Sequence, residues 1–394
     1  MHLKKRLKIA ILVRRFITTG GMERYCVEVA RRLALQHDVH VFAQEWSWNG
    51  DEKITFHEIP KFFERPSFLN LLLFSYFTRK YIDESFDIIH SHERVTYFDT
   101  LTVHCPCFRT YITEQKGWLK RVIIWFSIAL SPRKMAYLWL EKKQCTYMKN
   151  RLLIAVSNKV KKNVQVNYLL PDDYFGLAYP GVDSGMIKKE SDDKNRENTR
   201  SKLGISKSDL VILFVGTEFR RKGLDPLLKG FALITRTRPD MRLVVAGGGE
   251  QKRYVRLAGE LGIEDYVLFL GLVNDIENLY GMSDIFILPT LLDPAGMAPI
   301  EAMAAGVPTI ISSAKYAGSA ENIKNEEALI LENPDNPQEI ADSLAMLMEE
   351  NFRMNLGLKG RQLAERLTWE KTTEDTMAVY HRILKLKSSD DIIL

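Results

Sequence analysis

The chain has 394 residues, 46% hydrophobic and 27% charged, with a formal net charge of +5. That balance excludes a disordered or collagen-like chain, and the length predicts two domains, each able to bury a core. The charge is uneven: residues 1–180 carry 28 Lys and Arg against 17 Asp and Glu, a formal +11, whereas the remainder carries 27 against 33, or −6. So basic a half is expected to approach anionic surfaces or substrates, the alternative being a solvated basic surface without a partner.

From the N-terminus, KIAILV (Lys8–Val13) predicts a first strand; the run lacks the small-residue cleavage site of a secretory leader. A Gly20-Gly21 turn follows, then a helix from about Glu23 to Leu35. DVHVFA (Asp38–Ala43), FDIIHSH (Phe86–His92) and RLLIAVS (Arg151–Ser157) predict buried strands. Strands alternating with helical patterns argue for a doubly wound parallel sheet. His90 and His92 share one sheet face, but no further ligand has metal-site spacing, so no metal is expected. The four cysteines, Cys26, Cys105, Cys107 and Cys145, form neither a disulfide framework nor a zinc pattern. Reduced thiols in a cytosolic compartment are expected.

Residues 101–150 hold nine Lys and Arg against two Asp and Glu, among aromatics that include Phe108, Tyr111, Trp118, Trp125, Phe126, Tyr137, Trp139 and Tyr147. Helices interrupted at Pro132 are predicted there. Basic side chains beside Trp and Leu suit helices lying in a membrane interface, so residues 108–149 are expected to touch an anionic bilayer; the alternative is core helices. The apolar stretch Phe62–Tyr81 can join them, although Phe68–Phe77 also reads as core. No run reaches the roughly 18 apolar residues of a membrane span; the longest candidate is Val122–Leu130.

Residues 188–202 are polar and charged, which predicts a surface loop or linker. The expected domains are 1–185 and 186–369, with a final helix at about 370–394 packing back on the first. A second strand–helix alternation runs through DLVILFVGT (Asp209–Thr217), a helix near Asp225–Thr235, MRLVVAGGG (Met241–Gly249), VLFLG, DIFILPT and PTIIS.

Two segments carry chemistry. In VGTEFRRKG (Val215–Gly223), Arg220, Arg221 and Lys222 arrive at a helix N-terminus, where free N–H groups and the helix dipole favour an anion. Arg adds a planar fork for phosphate oxygens and Lys a point charge, so a pyrophosphate fits; a basic loop facing solvent is the alternative. In PTLLDPAGMAPIEAMAAGVP (Pro289–Pro308), a strand stops at Pro289, Asp293 sits on the loop, a helix starts near Gly296 and Glu301 lies within it. Ligands of open α/β sheets bind at that carboxyl edge, where a carboxylate such as Glu301 can hold two ribose hydroxyls. The alternative makes Asp293 a helix cap and leaves Glu301 merely exposed.

Together these segments resemble a known family. An acidic residue, seven intervening residues, Glu-Ala-Met and a Gly-x-Pro turn are similar to the signature of retaining glycosyltransferases of family 4, which have the GT-B fold. Gly216-x-x-x-x-x-Lys222-Gly223 resembles that family's pyrophosphate loop. Gly20-Gly21-Met22-Glu23, the strand Asp87–His92, Leu101-Thr102-Val103-His104 and Thr368-Trp369-Glu370 with Tyr380 extend the likeness over nearly the whole chain. The loop Arg220–Gly223 and Ala295-Gly296 look most like the lipopolysaccharide-core glucosyltransferases. The resemblance implies an α/β chain of two Rossmann-like domains facing across a cleft, and transfer of a hexose, glucose from UDP-glucose, with retained configuration. It implies a lipid-linked saccharide acceptor such as lipopolysaccharide core, a place on the inner face of the cytoplasmic membrane, no nucleic-acid partner and no cofactor. Arg221 and Lys222 then neutralise the leaving diphosphate, Glu301 grips the ribose, and Asp293 with the backbone of Gly296 and Met297 faces the hexose. Gly216 opens the phosphate loop, Gly20 and Gly21 allow close approach to the phosphate and acceptor, and His104 lies near the sugar. One departure stands out: Asp293 occupies a place where the family usually has Glu, one methylene longer. With no Asp-x-Asp motif, metal independence is expected.

Two rival readings remain. Gly247-Gly248-Gly249 after a strand superficially suits a nicotinamide-dependent dehydrogenase, but Lys252 stands where the third glycine of Gly-x-Gly-x-x-Gly is needed. A nucleotide-sugar-binding protein without turnover is the other, since fold alone does not ensure activity.

Overall fold

The computed structural model describes residues 6–63, 67–113, 118–146, 148–183, 185 and 193–391. The chain divides into two units, Met1–Tyr179 with Trp369–Leu394, and Pro180–Thr368.

The first unit is built on β1 (Lys8–Leu12), β2 (Arg15–Phe16), β3 (Asp38–Ala43), β4 (Glu45–Trp46), β5 (Ile54–Glu58), β6 (Ile88–Ser91), β7 (Thr100–Val103), β8 (Leu152–Ala155) and β9 (Phe175–Leu177). Seven of them form one sheet in the order β5-β3-β1-β6-β7-β8-β9, every neighbouring pair parallel. Strands covered on both faces must be apolar throughout, and Ile9–Leu12 and Leu153–Ala155 are sealed from solvent. The chain winds from β1 outward to β3 and β5, then returns to lay β6 on the other side of β1. Connections leaving in opposite directions open a crevice at the carboxyl ends of β1 and β6. The helix Gly21–Ala34 covers one face through Tyr25, Cys26, Val29 and Leu33. The final helix, Trp369–Asp391, completes this unit: Trp369, Tyr380 and Ile383 are buried, Arg32 Nε donates to Glu370 at 2.8 Å and Lys387 Nζ to Asp99 at 2.8 Å.

The second unit contains β10 (Leu210–Val215), β11 (Met241–Ala246), β12 (Val267–Gly271), β13 (Ile285–Leu288), β14 (Thr309–Ser312) and β15 (Leu329–Leu331). Their order is β12-β11-β10-β13-β14-β15, again all parallel, so the switch point falls between β10 and β13. Ile212, Phe214, Val244, Phe286 and Ile287 form a core without solvent contact, each worth about 1.5–3 kcal/mol of burial.

The polar segment expected as a loop is in part a helix, Asp193–Lys202; residues 188–192 lie outside the described residues. Its anchors are ionic. Arg200 is buried, with Nη2 on Asp284 Oδ2 at 2.6 Å and Nε on the Met282 carbonyl, and Arg196 takes the other Asp284 oxygen at 2.5 Å.

Candidate active site

In the second unit, the loops after β10 and β13 flank the switch point. Gly216 follows the last residue of β10, and the Lys222 side chain lies over it. Gly223 caps the helix Leu224–Thr235 with φ +79°; a Cβ there would sit 1.8 Å from the Pro289 carbonyl oxygen, so this glycine lets the loop press onto the end of β13. Arg221 is pinned at several atoms. Its carbonyl accepts from the Leu291 N–H at 2.9 Å, Nη1 donates to the Leu292 carbonyl at 2.6 Å, and Nε bonds Glu218. Lys222 Nζ forms an ion pair with Asp293 Oδ2, both side chains being largely buried. Arg220 is exposed.

Asp293 is held by its backbone: its N–H donates to Tyr316 and its carbonyl accepts from Gly318, each at 2.8 Å. Gly296, not Asp293, is the N-cap of the helix Met297–Ala304, with φ +65° and no side-chain cap. A Cβ on Gly296 would lie 2.6 Å from Ser319 Oγ, a buried hydroxyl with no partner among the described residues. The N–H groups of Met297 and its neighbours therefore open this helix without a capping side chain. Glu301, a turn further on, is buried rather than exposed, and Tyr280 Oη donates to its Oε2 at 2.8 Å. Two helix N-termini, two cations and two carboxylates thus converge on one sheet edge, an arrangement able to take an anion and orient polar hydroxyls beside it.

In the first unit, Gly20 is the N-cap of the helix that starts at Gly21, its carbonyl accepting from the Arg24 N–H at 3.0 Å. His104 follows β7, half-buried, with Nε2 3.0 Å from His92 Nδ1 and its ring edge-on to Tyr25 at 5.1 Å between centroids. The His90 ring lies 4.4 Å from that of His92, tilted by 35°, and is engaged at both nitrogens, by Tyr380 Oη and Thr102 Oγ1, each at 2.7 Å. Loss of solvent lowers His90 and His104 to about 3 and holds His92 well below its ordinary range; neighbouring imidazoles push His90 and His92 the same way. Among the described residues no three His, Cys, Asp or Glu side chains converge as metal ligands need.

The structure thus brings Gly216, Arg221, Lys222, Asp293, Gly296, Met297 and Glu301 together in one unit. It sets Gly20, Gly21 and His104 at the carboxyl edge of the sheet in the other. Tyr280, Tyr25 and the contact between His92 and His104 escaped the sequence reading. The spacing of His90 and His92 was the available signal for the last of these.

Residues 19–185 match the family described as Glycosyltransferase Family 4, and residues 195–363 match Glycosyl transferases group 1. An uncharacterized glycosyltransferase of Methanocaldococcus jannaschii is 28% identical over 306 residues, 75% of each chain. Lipopolysaccharide glucosyltransferase WaaG of Escherichia coli is 23% identical over 77% of this chain and 80% of its own. A WaaG crystal structure superposes with a TM-score of 0.80 at 21% identity, covering 93% of this chain and 98% of that one. Anabaena HepE, solved in complex with UDP-glucose, superposes with a TM-score of 0.70 at 16% identity, covering 98% and 100%. With two Rossmann-like units, each bearing its family's match, the chain belongs to the glycosyltransferases of the GT-B fold.

Proposed function

We propose that this glycosyltransferase moves a hexose, glucose from UDP-glucose, to a lipid-linked saccharide of the lipopolysaccharide-core type, with retention and without a metal ion. The observation that carries the reading is the cluster of Arg221, Lys222, Asp293 and Glu301 at the switch point between β10 and β13. Breaking a glycosyl–phosphate bond leaves charge on the diphosphate and an oxocarbenium-like sugar. Cations already fixed where that charge develops stabilise the transition state more than the ground state. Lys222 and Arg221 serve this role. An arriving diphosphate competes with Asp293 for Lys222 and frees that carboxylate for the hexose. Glu301, aligned by Tyr280, takes the ribose hydroxyls. The Gly296–Met297 backbone faces the sugar, Gly216 gives room to the phosphates, Gly20 and Gly21 admit phosphate and acceptor, and His104 meets the sugar. The UDP-glucose bound to HepE and the likeness to the lipopolysaccharide glucosyltransferase WaaG support the donor and acceptor classes.

The protein is further proposed to work peripherally on the inner face of the cytoplasmic membrane through residues 108–149. The helices Trp118–Ala129 and Pro132–Thr146 support this. Ile124 and Ile128 pack on Ile112 and Leu138, while Trp118, Ile123, Trp125, Phe126 and Leu130 stand exposed on the same segment. Tyr147 and the side chains of Tyr111, Lys120 and Arg121 lie outside the described residues. In the helix Ser67–Tyr81, Leu71 and Phe74 are core and only Tyr76 and Tyr81 are exposed apolar positions. No helix among the described residues is long and apolar enough to cross a membrane.

Turnover of a panel of nucleotide sugars, with mass spectrometry of lipid extracts incubated with the preferred one, tests the reading. Transfer of glucose from UDP-glucose to a lipid-linked glycan is expected. Binding without transfer to any acceptor would favour the nucleotide-sugar-binding alternative.

A further inference from the structure

His92 and His104 meet through ring nitrogens 3.0 Å apart, and the burial of His92 decides which of them carries the shared proton. Two neutral imidazoles bond only as one donor and one acceptor, and each has a single N–H. The other nitrogen of His92, Nε2, is buried with no partner among the described residues. If His104 donated, His92 would carry its proton on Nε2, sealed in the interior with no acceptor among the described residues. If His92 donates from Nδ1, Nε2 is left as a bare lone pair. Orphaned buried N–H groups are rarer in proteins than orphaned acceptors, so the second arrangement is preferred. His104 then accepts at Nε2 and keeps its own proton on Nδ1, which makes no hydrogen bond among the described residues. Burial keeps both rings neutral, as the balance requires.

We propose that His92 is a positioning residue that holds His104 as the Nδ1–H tautomer, so that His104 meets the sugar as a hydrogen-bond donor and not as a base. This rests on His104 facing the sugar, as set out above. It assigns a task to a histidine that neither the phosphate loop nor the acidic pair requires. It also explains why a half-buried imidazole of such low basicity suits the site: a neutral N–H can polarise a sugar oxygen without taking up a proton.

The test uses the full chain with 15N-labelled histidine. Two-bond 1H–15N spectra at neutral pH report which ring nitrogen is protonated, and single substitutions assign the peaks. His104 is expected to show a protonated Nδ1 and a bare Nε2; the reverse pattern overturns the proposal. Asn at position 92 can place an amide N–H near the Nδ1 position, so His92→Asn should keep the tautomer and most of the turnover. His92→Asp places only an acceptor there. It should move the His104 proton to Nε2 and lower kcat about tenfold while leaving nucleoside diphosphate affinity unchanged. Equal losses in the two variants with an unmoved tautomer overturn the proposal. Should His92→Asp fail to fold, the wild-type and His92→Asn spectra still decide. His104→Ala with full turnover would remove His104 from the sugar site while leaving the measured tautomer standing, which separates the two readings.

Discussion

Lys222 and Asp293 form an ion pair across 71 residues of sequence, tying the loop after β10 to the loop after β13. Removing the carboxylate leaves a largely buried ammonium without its partner. Asp293→Ala should therefore lower the stability of the C-terminal unit by about 1–3 kcal/mol and reduce turnover, whereas Asp293→Glu should restore most of both. Chemical denaturation of both variants checks this; an unmoved midpoint in Asp293→Ala would show that the pair does not hold the loops.

Glu301 and Tyr280 make a second test. Glu301→Ala should weaken nucleotide-sugar binding about ten- to a hundredfold, the worth of a charge-assisted contact of about 1.5–3 kcal/mol. Tyr280→Phe keeps the carboxylate but removes the 2.8 Å bond that aligns it, so a smaller loss is expected. Calorimetric titration with the nucleotide sugar decides, and unchanged affinity in Glu301→Ala would take the residue out of the site.

Turnover should survive excess EDTA, because Arg221 and Lys222 supply fixed positive charge at the leaving diphosphate. Complete loss with chelator, restored by magnesium or manganese, would overturn that assignment.

Vesicle co-sedimentation examines the membrane face. Binding to anionic vesicles should fall with rising salt, since each basic residue near the surface contributes about 1 kcal/mol within a Debye length. Trp125→Ser with Phe126→Ser should weaken it through lost apolar contact, and Arg133→Gln with Lys134→Gln through lost charge. Nucleotide-sugar affinity should be untouched in all of these. A wild-type protein that stays in the supernatant at every salt concentration would end the claim.

Acid stability follows from the buried imidazoles. His90, lowered to about 3, and His92, well below 6.5, stay neutral in the fold. Below about pH 6.5 the unfolded chain binds protons that the folded chain refuses. Stability is therefore intact above that pH and falls as pH drops toward 3, by up to about 1.4 kcal/mol per pH unit for each group. Unfolding free energies measured between pH 7 and 4 should show a shallower slope in His90→Asn than in the wild type. Identical slopes would mean that His90 titrates normally.

Much of this was legible in the residues. The β-branched runs at Lys8–Val13 and Asp209–Thr217 announce strands because a doubly covered parallel sheet admits little else. The acidic pair and the basic loop were visible because each is a local pattern. The helix Asp193–Lys202 was not, since it is polar nearly all round and is held by Arg196 and Arg200 on Asp284, more than 80 residues away. The same holds for Glu301. Its buried carboxylate accepts from Tyr280, 21 residues earlier on another helix, and no spacing rule links the two. Short strands such as Ile54–Glu58 and Phe175–Leu177 were missed because half-buried residues blur their pattern.

The N-terminal unit is assembled from both ends of the chain, with Trp369 and Tyr380 at its centre. Once residue 368 has been added, every residue of the C-terminal unit has been synthesised, yet the earlier-made unit still lacks the tyrosine that engages His90. The order of synthesis and the order of completion are thus inverted: the part made first is finished last. Until its last helix arrives, that nascent sheet offers an uncovered apolar surface, the state in which aggregation and chaperone capture compete with folding.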